Sequence, residues 1–403
     1  NTAHSPSSSG RAISMRTPST ERPTGSGTPR AALGGCGHRC SRALLAETRN
    51  RCSGRAGASL LEGRLDFREA PADPDALLLR SHKLQESEIL DSVTAIARAG
   101  AGVNNIPLAS CSERGIPVFN TPGANANAVK ELVAAAMLLA SRDIVGGIAF
   151  AQAQDPGMSA QDMNTLMEQE KKRFAGAELA GKTLGVVGLG SIGSLVARLG
   201  LDLGMIVVGF DPALSVEAAW RLPSEVQRME NVQSLFSRSD FISLHLPVLD
   251  STRGLVNEEM LTHFKTGSCL LNFAREEIVD TEAVVAALDN GQLRCYVADF
   301  PNPLLLGRTD TLLMPHIGAS SAEAEEYCAI MAANQLKAFL QHGNIRNSVN
   351  FPAIELERTT DYRITIANRN EPGMLSHILT LIGDAGLNVA DLLNKSVGDI
   401  AYN

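Results

Sequence analysis

At 403 residues, with 44% hydrophobic and 20% charged side chains, the chain is long enough for two or three domains with sizeable cores. A net charge of −8 and a pI near 5.6 argue against general binding to nucleic acid or to anionic membranes. No apolar stretch reaches the roughly 18–20 residues that span a bilayer as a helix. Seven scattered cysteines without a framework fit a reducing compartment.

Residues 1–55 hold nine arginines, no lysine and two acids, Glu21 and Glu47, among many Ser, Thr, Gly and Pro. Such a stretch reads as disordered, and its composition is that of an organelle transit peptide. The expected location is therefore a plastid or mitochondrion, with the cytoplasm as the alternative. Cys36, His38, Cys40 and Cys52 match no standard zinc spacing, so no metal site is assigned. From Leu60 the pattern becomes globular. "DALLLRSHK" (75–83) predicts a short buried strand ending in polar residues, and 93–106 and 115–129 predict strand, Gly-rich turn and strand. Asn127 is placed as the cap of a long helix through "AVKELVAAAMLLASRD", apolar on most faces and so expected to be buried at a domain junction or a subunit interface. Residues 151–175 predict a surface helix.

Thr183–Asp211, "TLGVVGLGSIGSLVARLGLDLGMIVVGFD", decides the class. An apolar strand turns through glycines into a helix with Ile192, Val196 and Leu199 at helical spacing, and a second strand ends in an acid. Four later runs, "DFISLHLP", "GSCLLNFAR", "CYVADF" and "TLLMPH", repeat the strand pattern, so the class is α/β with a parallel sheet covered on both faces. After Asn350, "RITIANR" predicts a strand, "GMLSHILTLIGDAG" an amphipathic helix and "LNVADLLNKS" a second strand, with a third starting at "DIAYN".

Gly188, Gly190 and Gly193 form G-x-G-x-x-G between that strand and helix, and Asp211 follows 18 residues after Gly193. In this context Gly188 allows the tight turn, Gly190 the approach of a pyrophosphate, and Gly193 close helix–strand packing. The amides of Ser191 and Ile192 open the helix, where its dipole favours an anion. Asp211 can bond a ribose hydroxyl and would repel a 2′-phosphate, which selects NAD over NADP. Ligands in such sheets sit beyond the carboxyl ends of the strands, which singles out His245, Arg275, Asp299 and His316. Arg275 can anchor a carboxylate, or else pair with Glu276 or Glu277 on the surface. His316 can exchange a proton near neutral pH. His245 is read as a structural strand-end residue.

From Leu60 to Asn350 the segments "ARAGAGVNNIP", "FNTPGANANAVKEL", "GVVGLGSIG", "LLNFAR", "ADFPN" and "PHIGAS" resemble, in order, the D-isomer-specific 2-hydroxyacid dehydrogenases. Within that family the chain is most similar to the branch acting on 3-phospho-D-glycerate. The resemblance implies doubly wound parallel sheets: a Rossmann-type NAD-binding domain, 141–317, inserted in a smaller flavodoxin-like substrate domain, 56–140 and 318–350. It also implies NAD-dependent oxidation of 3-phospho-D-glycerate to 3-phosphohydroxypyruvate, the first step of serine synthesis, by a dimer or tetramer. Arg275 would then hold the substrate carboxylate and His316 act as acid/base. Asp299 would hold the nicotinamide carboxamide, and Ala274 would join the cofactor contacts. Gly102 and Val103 would meet the carboxylate through their backbone, and Arg80, Ser81 and Lys83 would gather at the phosphate.

Residues 360–403, with "NRNEPGML" and "GLNVADLLNKS", are similar to part of an α+β ACT domain. That likeness implies serine as effector at Asn370 and Asn388, although Asn368 stands where relatives often have histidine. Two further positions depart from the family pattern. Pro303 occupies the slot of a glutamate that usually partners the catalytic histidine, and Glu276 replaces the glycine after the catalytic arginine. The alternatives are a glyoxylate or hydroxypyruvate reductase of the same family, and an NAD-binding scaffold or sensor that has lost its chemistry.

Overall fold

The computed structural model describes residues 73–403 apart from residue 361, together with the backbone of three short strands, Ile13–Met15 (β1), Ser41–Leu45 (β2) and Leu65–Glu69 (β3). The transit-peptide reading of residues 1–55 and the four residues weighed as a metal site lie outside the described residues. Only the expected disorder is corrected, at one short run, because the backbone of β2 lies parallel to Ala76–Leu79 (β4). A composition averaged over 55 residues hides one short apolar run, and a strand needs no more than that.

The chain forms two compact units, Asn1–Asn125 with Ala322–Asn403, and Ala126–Ser321. In the first, β2, β3, β4, Ala95–Arg98 (β5) and Val118–Phe119 (β6) run parallel in the order β3-β2-β4-β5-β6, with β1 antiparallel on β3. That is the flavodoxin-type strand order. Alternation along β4 serves both faces of this sheet. Ala76 and Leu78 pack with Ala332 and Leu336 of the helix Ala322–His342, whereas Leu77 and Leu79 pack with Leu84, Ile89 and Ile106. The sequence reading gave no helix at Leu108–Glu113, a six-residue piece whose N-cap makes no side-chain bond.

The second unit is a seven-stranded parallel sheet. Its strands are Thr183–Val187 (β7), Ile206–Phe210 (β8), Gln227–Arg228 (β9), Phe241–Leu244 (β10), Ser268–Asn272 (β11), Leu293–Ala298 (β12) and Thr311–Leu313 (β13). They lie in the order β13-β12-β11-β10-β7-β8-β9. The order reverses between β7 and β10, the switch point at which such sheets bind ligands. Helix α1, Ala126–Ser141, buries Val129, Val133, Ala136 and Met137 among Leu184, Val186 and Leu271. It therefore clusters with this unit, and the boundary falls after Asn125 rather than at the expected residue 140. Asn127 lies inside α1 instead of capping it, its side chain bonded to Lys130 and Glu131. Among the described residues no single helix is long and apolar enough to cross a membrane.

The C-terminal residues cluster with the first unit. Ala367–Arg369 (β14), Lys395–Val397 (β15) and Ile400–Tyr402 (β16) form an antiparallel sheet in the order β14-β16-β15, with the helix Met374–Asp384 between β14 and β15 in the chain. The strand expected over 387–396 is reduced to Lys395–Val397. The central strand β16 has three residues, so each neighbour finds ladder partners at three positions only.

Candidate active site

Strand β7 runs directly into the glycine turn, and helix α2, Ser191–Asp202, begins after it. Gly188 has φ +89, and a Cβ on it would lie 2.5 Å from the His245 carbonyl oxygen. Gly193 is tighter still. A Cβ there would lie 1.8 Å from the Gly188 carbonyl oxygen, so helix and turn approach only because neither carries a side chain. Gly190 is different: a Cβ would meet nothing within 4 Å, which leaves the space in front of the helix open. The amides of Ser191 and Ile192, at the start of α2, have no intrahelical acceptor and face an anion favourably. Asp211, after β8, accepts from the Leu189 amide at 2.8 Å through Oδ2 and from the Ala213 amide at 2.9 Å through Oδ1. Each oxygen keeps a lone pair for a ribose hydroxyl. An open cradle with two amides, and a fixed acid where a 2′-phosphate would sit, fit NAD.

The reacting end is built from three neighbouring strands, β11, β12 and β13. Buried Asn272 clamps the end of β11, donating through Nδ2 to the Arg275 carbonyl at 2.9 Å and accepting the Ala274 amide at 3.1 Å. Arg275 is exposed. Its Nη1 donates to the Ala274 carbonyl at 2.7 Å, and the rest of the fork has no partner among the described residues. It forms no ion pair with Glu276 or Glu277, so the surface-bridge alternative does not describe it.

Asp299, 3% exposed after β12, accepts the Ile317 amide at 2.8 Å and the Gly318 amide at 2.7 Å. Its expected role toward a carboxamide therefore stands beside a structural one. His316 is exposed, has φ +56, and lies 4.8 Å from the Phe300 ring, tilted by 52°. His245 bonds Ser243 Oγ through Nε2 at 2.8 Å, its Nδ1 has no partner, and burial pushes its imidazole down to about 3. It stays neutral, which suits a strand-end residue better than a proton carrier.

The loops that carry Glu276 and Pro303 are joined through Asn302. Asn302 Nδ2 donates to Glu276 Oε1 at 3.1 Å, while Asn302 Oδ1 accepts the Leu304 amide and caps the turn Pro303–Leu305. Adjacent strand ends bring these loops together, a contact that spacing along the chain does not signal.

In the first unit Arg80 follows β4. Its carbonyl accepts Arg98 Nε at 3.0 Å and Asn105 Nδ2 at 3.1 Å, and its guanidinium pairs with Glu325 at 2.7 Å. Ser81 and Lys83 are exposed, and the Lys83 ammonium has no partner among the described residues. His82 pairs with Glu88 at 3.1 Å. The Gly102 and Val103 amides donate to no described group, as a carboxylate contact requires.

Fold and site are those of an NAD-binding dehydrogenase. The chain belongs to the D-isomer specific 2-hydroxyacid dehydrogenase family, whose NAD-binding domain matches residues 135–318. It is 32% identical over 331 residues to a D-3-phosphoglycerate dehydrogenase of Methanocaldococcus jannaschii, covering 80% of this chain and 60% of that protein. The chain thus spans less than two thirds of that relative's length. It is 36% identical over 270 residues to a hydroxypyruvate reductase of Thermotoga maritima, covering 64% of this chain and 81% of that protein. Its fold matches an NAD+-bound 3-phosphoglycerate dehydrogenase of Entamoeba histolytica with a TM-score of 0.57 and 24% identity, over 76% of this chain and 97% of that one.

Two outcomes follow from this geometry. Asp211→Asn should weaken NADH about tenfold or more, since a charged hydrogen bond contributes roughly 1.5–3 kcal/mol; a fluorescence titration with unchanged affinity would remove the ribose assignment. Asp299→Asn sets an amide against a backbone N–H and should destabilise the fold by about 1–3 kcal/mol. Denaturant unfolding measures this, and an unchanged midpoint would mean the two bonds do not hold the turn.

Proposed function

We propose that the chain interconverts 3-phospho-D-glycerate and 3-phosphohydroxypyruvate with NAD, the entry to serine synthesis. One observation carries this reading: an open guanidinium fork and an exposed imidazole stand at the ends of β11 and β13, in the sheet whose β7 turn forms the anion cradle.

Arg275 binds the substrate carboxylate through paired N–H groups and draws charge from the neighbouring carbon–oxygen bond. His316 takes the hydroxyl proton during oxidation and returns it during reduction. A bound NAD would supply the hydride acceptor for the carbon that bears the hydroxyl, so that loss of one hydride and one proton turns the alcohol into a ketone. Phe300 and the turn held by Asp299 keep the imidazole in place. For the first unit the family resemblance supports a role of Arg80, Ser81 and Lys83 toward the phosphate. The C-terminal sheet is read as part of an ACT-like regulatory domain with serine as effector. The second reading, reduction of hydroxypyruvate or glyoxylate, is favoured by the ion pair that already engages Arg80.

The chain is also read as a homo-oligomer. Leu138, Ile144, Val145 and Ile148 expose apolar surface on α1 and the helix Ile144–Gln152 that follows it. Isolated apolar residues are common on surfaces, and several exposed ones close together in the chain support the reading of a contact face.

NADH oxidation with 3-phosphohydroxypyruvate and with glyoxylate, from pH 6 to 9, tests the reaction. His316→Asn should lower kcat about 10²–10⁴-fold, the usual contribution of a general acid–base group, with NADH affinity kept. Full turnover in that variant would transfer the proton to another group. Ile148→Asp should shift the chain toward monomer in light scattering, and an unaltered mass would place the interface elsewhere.

A further inference from the structure

Arg80 is the first residue after four buried ones, so its side chain leaves the core where β4 ends. Its backbone is pinned from two sides by Arg98 Nε and Asn105 Nδ2, and Asn105 Nδ2 also reaches the His82 carbonyl at 2.7 Å. The strand end is therefore fixed, and only the side chain beyond it can choose a partner. It pairs with Glu325, at 2.7 Å. Glu325 belongs to the first turn of the helix Ala322–His342, where the helix dipole favours a carboxylate. The two side chains remain 42% and 31% exposed, so a ligand can reach both.

Arginine binds carboxylates and phosphates through the same planar fork. A phosphate dianion reaching Arg80 has to displace Glu325 and then lie beside its charge. A neutral hydroxymethyl group meets neither obstacle. Lys83 can add a second positive charge, yet it does not remove the competition at Arg80.

We propose that Glu325 is a specificity-determining residue: by holding Arg80 it sets the preference between a phosphorylated 2-oxo or 2-hydroxy acid and its unphosphorylated counterpart. This rests on the reading of Arg80 as the phosphate anchor.

The test compares the full chain with Glu325→Gln, Arg80→Gln and the double variant. Each is assayed for kcat/KM with 3-phosphohydroxypyruvate and with hydroxypyruvate. Releasing an exposed pair should favour the phosphorylated substrate by about fivefold in Glu325→Gln, through a lower KM, with hydroxypyruvate unaffected. Arg80→Gln should lower the preference, and the double variant should match Arg80→Gln alone. Calorimetric binding of 3-phospho-D-glycerate and D-glycerate to the NADH-loaded proteins gives the same comparison without turnover. An unchanged ratio in Glu325→Gln, while Arg80→Gln lowers it, overturns the proposal but keeps the anchor. An unchanged ratio in Arg80→Gln removes the anchor and the proposal together. A parallel fall for both substrates in Glu325→Gln makes Glu325 structural and also overturns it.

Discussion

The reacting end depends on the buried carboxylate of Asp299. A charge in the core is costly unless it is hydrogen-bonded, and this one is satisfied by the backbone amides of Ile317 and Gly318. Those bonds fix the turn in which His316 adopts φ +56. The left-handed region disfavours a non-glycine residue by about 1–2 kcal/mol, so the conformation persists because its neighbours impose it. Gly318 has to lack a side chain, since a Cβ would lie 2.8 Å from Asp299 Oδ2. Phe300, next to Asp299, supplies the ring against which the imidazole rests. The orientation of His316 thus comes mainly from β12, the neighbouring strand.

The cofactor end uses the same device. Asp211 leaves β8 and bonds the Leu189 amide inside the glycine turn that leaves β7. In both places an acid at one strand end ties down the backbone of the adjacent loop and keeps lone pairs for a ligand. Apolar layers on both faces of the sheet make such strand ends firm supports. Leu184, Val186 and Leu271 pack on one side, and Leu244, Leu270 and Ala298 on the other. Functional groups carried at the ends of rigid elements are held more closely than those carried on free loops.

Much of this was legible in the sequence because it is local. Glycine spacing, the switch from helical to strand periodicity, and polar residues closing apolar runs located β7, α2, β8 and the strand ends bearing Arg275, Asp299 and His316. The unread parts are those where distant residues decide. Whether α1 belongs to one unit or the other depends on Val133 and Met137 meeting Leu184, and its apolar faces alone fit either outcome. β2 was lost in the arginine-rich composition around it. The short helix at Leu108–Glu113 has neither the length nor the cap to announce itself. The Arg80–Glu325 pair joins residues far apart in the chain, and no pattern in either segment points to the other.

The contact between Asn302 and Glu276 changes how the two departures read. From sequence, Glu276 looks like a rival for Arg275, because the two are adjacent. Adjacent side chains in a helical turn point apart, however, and Glu276 opens such a turn with Arg275 as its N-cap. Its carboxylate accepts a hydrogen bond from the β12 loop, while the Arg275 fork bonds the Ala274 carbonyl. The loop that carries Pro303 is thus the loop that fastens Glu276, through Asn302. Glu276 is thereby tied to the β12 loop and not to the guanidinium beside it in the chain. A carboxylate held by another donor competes less for a neighbouring guanidinium, so the fork of Arg275 stays open although an acid follows it in the chain.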